Sequence, residues 1–226
     1  MIKLISAVLG PAVLAAAGWL ACPSEVEPQA ARENSLSWFA QKAKSEGKDK
    51  VSIPAPFADH MGEEDDPDLV LSYAKMVVAQ PVSNLTVAPS DDEIVTWYKF
   101  RTLETLSEGQ PCLACPAVEP PAGLLPLNED EFLIVKYGGT LLIEGVAVTM
   151  LNRGIPDFAE NQKYLLMLLQ RPSQVASLWA GPTGIFTVDA NGAVEPVNKR
   201  PHPMKEVVKR RFGGAVGRLR RHLKGG

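Results

Sequence analysis

Apolar and polar positions change period along this chain, and the changes mark its parts. The densest apolar text runs from Glu131 to Leu151, EFLIVKYGGTLLIEGVAVTML. Phe132 to Val135, Leu141 to Ile143 and Val146 to Val148 are short β-branched runs, and Gly138-Gly139 and Glu144-Gly145 fit two-residue turns between them. This predicts a meander of short strands around which the soluble part packs. Ile94 to Leu106 alternates, with Ile94, Thr96, Tyr98, Phe100 and Thr102 on one side and Trp97, Lys99 and Arg101 on the other. That is the period of an antiparallel strand. Tyr164 to Leu169 has no polar group, so it reads as a central strand buried on both faces. Val175 to Trp179, Ile185 to Val188 and Ala193 to Val197 are further strands, the last two joined by a turn at Asp189-Ala190-Asn191-Gly192.

Upstream, Ser35 to Ser45 predicts a short helix: Ser35 caps it, Leu36, Phe39, Ala40 and Ala43 share a face, and Gly47 ends it. Val51 to Pro67 is broken by prolines and then acidic (Glu63 to Asp66, with Asp68), which reads as a loop. Strand signals start at Leu69 in LVLSYAKMVVAQPV, with Pro81 marking a bend or an edge. Asn152 to Gln162 reads as a turn region. After Lys199 the period becomes helical, with Met204, Val208, Phe212, Val216, Leu219 and Leu223 at intervals of four and three. Gly213, Gly214 and Gly217 weaken that helix by about 1 kcal/mol each relative to alanine, so it needs a surface to lie on. The expected fold is mainly β, an antiparallel small barrel (OB-like) or sandwich with a short N-terminal helix and a basic C-terminal helix. The expected organisation is a signal or anchor at 1–22, then a tether with the short helix and acidic loop at 23–68. A barrel at 69–198 and a basic amphipathic tail at 199–226 follow.

Charge sharpens this division. The total of −3 combines a −12 body with a +9 tail, in which ten Lys/Arg face Glu206 alone across residues 199–226. Lys205, Lys209, Arg210, Arg211, Arg218, Arg220, Arg221 and Lys224 flank the apolar stripe, a layout suited to anionic lipid headgroups or an acidic protein partner. The alternative is that the helix docks on its own acidic body, apolar face inward. Leu4 to Cys22 carries no charge and follows Lys3, the pattern of a secretory signal, with an uncleaved anchor as the alternative. Export makes a nucleic-acid partner improbable. Cleavage after Ala21 would leave Cys22 for lipidation, although Trp19 and Leu20 match a lipoprotein signal only in part.

Only three cysteines occur, too few for a disulfide framework. Cys112 and Cys115 have the spacing of a structural disulfide, a redox pair or half a zinc site. Pro111 and Pro116 bracket them in a loop with no helix following, and His60, His202 and His222 lack metal spacing, which favours the structural disulfide. The acidic run Glu63–Asp68 reads as a solvated loop before it reads as a calcium site. Trp97, Tyr98, Tyr164 and Trp179 suit core or strand-edge packing more than a ligand surface. No phosphate-binding glycine pattern, no G-x-S-x-G and no H-E-x-x-H is present, so no motif calls for a cofactor or names a catalytic residue.

The segments TWYKFRTLE, DEFLIVKYGGTLLIEGV, QKYLLMLL, GPTGIFTVDANGAVEPV and HPMKEVVKRRF, in this order, resemble a group of uncharacterised exported bacterial proteins over residues 69–212. That resemblance implies a small exported β-domain and no activity. The alternation also resembles the OB-type barrels of metalloproteinase-inhibitor and netrin modules. Their N-terminal cysteine edge has no counterpart here, because Cys22 precedes a tether. The combined expectation is an exported binding module of unknown ligand, with a thiol-disulfide protein or an enzyme assembled across strands as alternatives.

Overall fold

The computed structural model describes residues 32–55, 66–115, 117–152, 154–171, 173–179, 181–199 and 201–224. The 1–22 stretch read as a signal or anchor, Cys22 included, and most of the acidic run therefore lie outside the described residues. Among those described, no helix is long and apolar enough to cross a membrane.

The protein is mainly β, with two sheets. The larger is built on a hairpin of two long strands, β2 (Lys75–Val87) and β3 (Val95–Ser107). β4 (Glu131–Tyr137) lies antiparallel to β3, and β7 (Lys163–Gln170) lies antiparallel to β2. The short β8 (Val175–Leu178) pairs in parallel with β4 and antiparallel with β7. The ladder thus runs β2-β3-β4-β8-β7 and returns to β2. Two residue pairs join β8 to β4 and three join it to β7, so this is a thinly closed ring and not a clear barrel. Three register shifts bend β2 along the way, as bulges do. Pro81 is tolerated because β7 pairs only with Lys75 to Ala79, leaving Pro81 on a stretch with a neighbour on one side.

One face of each ring strand points into a shared core. Val77, Ala79, Tyr98, Phe100, Ile134, Tyr164, Leu166, Leu168 and Ala176 pack there with Ile155 and Phe158. Phe158 comes from the 152–162 connection and meets Tyr98, Phe100 and Tyr164 edge-on, with ring centroids 5.0, 5.0 and 5.1 Å away. The region read as a turn therefore supplies the core's plug. Asn152 Oδ1 holds the start of this connection by accepting from the Gly154 and Ile155 amides. Beside the plug, Lys136 is buried and its ammonium meets Asp157, which also accepts from the Tyr98 hydroxyl at 3.0 Å. Burial pushes the Tyr98 hydroxyl pKa up, and the neighbouring Asp157 charge adds to the effect.

The second sheet has β6 (Val146–Leu151) between β1 (Lys50–Pro54), in parallel, and β5 (Gly139–Ile143), antiparallel. Two expectations change here. Part of the 51–67 loop is strand β1, whose ladder partner among the described residues, β6, lies about a hundred residues away in sequence. The 131–151 meander is also divided, β4 going to the ring and β5 and β6 to the small sheet. Gly138 and Gly139 make that division, with φ of +98° and +142°. A Cβ at Gly139 would collide with the Thr96 hydroxyl, so the turn is closed to larger residues. Helix α1 (Leu36–Ser45), capped by Ser35, buries Leu36, Ala40 and Ala43 on this sheet as its spacing predicts.

Leu69 does not begin a strand. Asp66 caps the first turn of α2 (Pro67–Tyr73) and Pro67 takes its N1 position, so the apolar LVLSY folds as a helix that buries Val70. The large sheet continues from β7 to β9 (Ile185–Val188) and ends at β10 (Val194–Pro196). Asp189 Oδ1 accepts from the Asn191 and Ala193 amides, which makes the intervening segment a hairpin turn.

The tail is two helices and not one: α3 (Pro203–Phe212) and α4 (Val216–Lys224). Gly213 ends α3 in a left-handed conformation, φ +55°, and the chain turns before the apolar period resumes. Met204, Val208, Phe212, Val216 and Leu219 are all buried with Met76, Val78, Leu165, Met167 and Phe186, on the outer face of the sheet. The apolar stripe thus faces the protein's own domain.

Candidate functional site

Cys112 and Cys115 are joined by a disulfide, with Cα atoms 5.4 Å apart. The Cys112 amide donates to the Gln170 carbonyl at 2.8 Å, fastening the loop to the end of β7. Irregular chain surrounds the pair, so neither thiol sits at a helix N-terminus that would favour its thiolate. Leu113 at the loop tip is 89% exposed. No group of three metal-ligating side chains occurs among the described residues.

Beside this loop lies a polar cleft of about 260 Å³ at the mouth of the ring, lined by Lys75, Glu131, Gln170, Arg171 and Gln174 among others. Glu131 is its buried charge. Its carboxylate accepts from the Asn128 amide at 3.1 Å and faces Arg101 and Lys99 at 3.5 and 3.7 Å. The Asn128 amide, ahead of the two cations, holds this carboxyl below its usual range against the opposing effect of burial. A carboxyl with a depressed folded-state pKa stabilises the fold above its unfolded pKa of about 4.3, and that stability is lost as the pH falls toward the folded value. Glu131→Gln should therefore lower the urea midpoint near neutral pH and flatten its decline on acidification. Parallel declines for wild type and variant would refute this.

The tail cations separate into groups. Arg220 makes a two-pronged bond to Glu104, 2.5 and 2.6 Å, and Arg211 reaches Asp68 at 2.6 Å. Arg210 pairs with Glu206 one turn earlier, at 3.0 Å. Arg218 folds its guanidinium back over Gly213. Arg221 is exposed on α4, and Lys224 is its last residue. Lys205 and Lys209, on successive turns of α3, border a groove.

That groove lies between the β9–β10 edge and α3 and measures about 830 Å³, within the range of small-molecule sites. Phe186, Val194, Pro196, Pro201, Pro203 and Val208 give it mostly apolar walls. Lys199, Lys205 and Lys209 face it together with Glu195, Glu206 and His202. His202 caps α3, its Nδ1 accepting from the Met204 amide at 3.1 Å. The floor exists because β9 and β10 present Phe186 and Val194 to α3, which leans on them through Val208.

No family model, no curated protein and no solved structure matches the chain.

Of the residues singled out in sequence, Lys205 and Lys209 come together at the groove, and Arg211 and Arg220 are spent on the protein's own acids. Tyr98 and Tyr164 belong to the core, Trp97 to an outer cluster under Leu124, and Trp179 stacks on Tyr73 at 6.2 Å. Lys199, Phe186 and the three prolines of the groove were not legible as a site. The single linear signal was the proline spacing of the NKRPHPM stretch before a helix.

Proposed function

We propose that this chain is an exported, non-enzymatic binding module of the bacterial cell envelope, and that its ligand sits in the groove between β10 and α3. One observation carries the reading: an apolar trough of about 830 Å³ whose sides bring three lysines and two glutamates to an otherwise greasy wall. Such a site holds an apolar body and prefers an anionic end. The uncharged stretch Leu4–Cys22 supports export. In this reading α3 serves as one wall of the groove, with the tail's apolar stripe turned onto the sheet. The cysteine pair serves as a staple for its loop.

Titration with anilinonaphthalene sulfonate, an apolar anion, tests the reading. Folded protein should bind one equivalent saturably, and Pro201→Trp, a bulky ring at an exposed groove position, should remove that binding while leaving far-ultraviolet circular dichroism and the urea midpoint unchanged. Absence of saturable binding, or binding indifferent to the substitution, would overturn it.

A further inference from the structure

The groove's walls also restrict what kind of molecule fits. Pro196, Pro201 and Pro203 have no backbone N–H, so three of its wall positions have no main-chain donor to offer. β10 is the edge of the large sheet, yet its outward side is a poor template for another strand. The Val194 amide already donates to the Gly214 carbonyl at 2.8 Å, and Pro196 has none. An extended peptide adding to this edge would leave its own groups unmatched, and a saccharide would bury hydroxyls against proline rings. Each unpaired buried group costs about 1–3 kcal/mol. A hydrocarbon chain has no such groups to lose. The polar contacts available to a ligand are concentrated in charged side chains: Lys199 and Lys209 stand beside Glu195, while Arg210 engages Glu206.

We infer that the groove takes a fatty-acid carboxylate, its acyl chain along Phe186, Val194, Pro196 and Val208 and its carboxylate between Lys199 and Lys209. This rests on the groove being the ligand site, and it adds the ligand's chemistry. A single acyl chain suits a trough of this volume with mostly apolar walls, and its one charge suits a site whose cations lie on one helix and the segment before it.

The test compares laurate with dodecanol, which has the same chain without the charge, by isothermal titration below the micellar range and by displacement of the bound dye. Laurate should bind one to one and displace the dye, with dodecanol about tenfold or more weaker, the worth of one charge-assisted contact. The double variant Lys199→Glu, Lys209→Glu changes two exposed residues. It should weaken laurate by at least about tenfold and leave dodecanol unchanged. Pro201→Trp should weaken both. Equal binding of laurate and dodecanol overturns the inference, as does an acidic peptide that displaces the dye where laurate does not. If the dye binds and neither amphiphile competes, the acyl assignment fails and the groove stands. If the dye does not bind either, both readings fail.

Discussion

Replacing Phe158 by alanine should lower stability by about 3–5 kcal/mol, the usual cost of removing a large aromatic ring from a packed core. At about 2–4 °C per kcal/mol for a domain of this size, the melting temperature should fall by roughly 6–20 °C. The expectation follows from position. Phe158 is buried against Tyr98 and Phe100 of β3 and Tyr164 of β7, and fills the space their inward faces leave. Phe158→Leu keeps most of the volume and should recover more than half of the loss. Equilibrium urea unfolding measures both variants. A Phe158→Ala cost below about 1 kcal/mol would mean the ring is not packed against this side chain.

Removing the tail should be worse. A chain ending at Lys199 loses Met204, Val208, Phe212, Val216 and Leu219, each buried against the sheet. At about 1.5–3 kcal/mol per buried side chain, the loss rivals the whole stability of about 5–15 kcal/mol expected of such a domain. The truncated chain should fail to give a cooperative unfolding transition and should aggregate through its bared Met76, Leu165 and Met167. The same logic disqualifies tail deletion as a probe of binding, since any partner would be lost with the fold. Charge reversal at exposed Lys199 and Lys209 asks the functional question without that confusion. A truncated protein that unfolds cooperatively with its midpoint unchanged would show that the helices do not hold the sheet.

What could be read from the sequence was local. Ser35 before an amphipathic decapeptide gave α1 its start, Gly138-Gly139 marked a turn, and the unbroken Tyr164–Leu169 run was a strand covered on both sides. What could not be read depends on distant partners. β1 is five residues beside prolines, and it becomes a strand only when β6 arrives. The apolar letters of LVLSY suit a strand or a helix equally, and the decision belongs to Asp66 and Pro67 just before them. Phe158 sat in text rich in turn residues, where one aromatic has no periodicity to reveal it. Gly213 and Gly214 read in the sequence as positions that weaken one helix, yet they end it and let a second one follow. The groove is a product of β9, β10 and α3 meeting, so its lysines were visible as charge but not as neighbours of Phe186.

The short strand β8 has one more consequence. With two pairs to β4 and three to β7, it is where the ring breathes most cheaply, since local opening there breaks the fewest ladder bonds. Polar groups are gathered along that seam. Gln174 donates to the Asn128 and Glu131 carbonyls, and its own carbonyl receives the Leu133 amide. Gln170 holds the cysteine loop against the adjoining end of β7. The charged cleft thus works as a clasp across the thinnest seam of the ring.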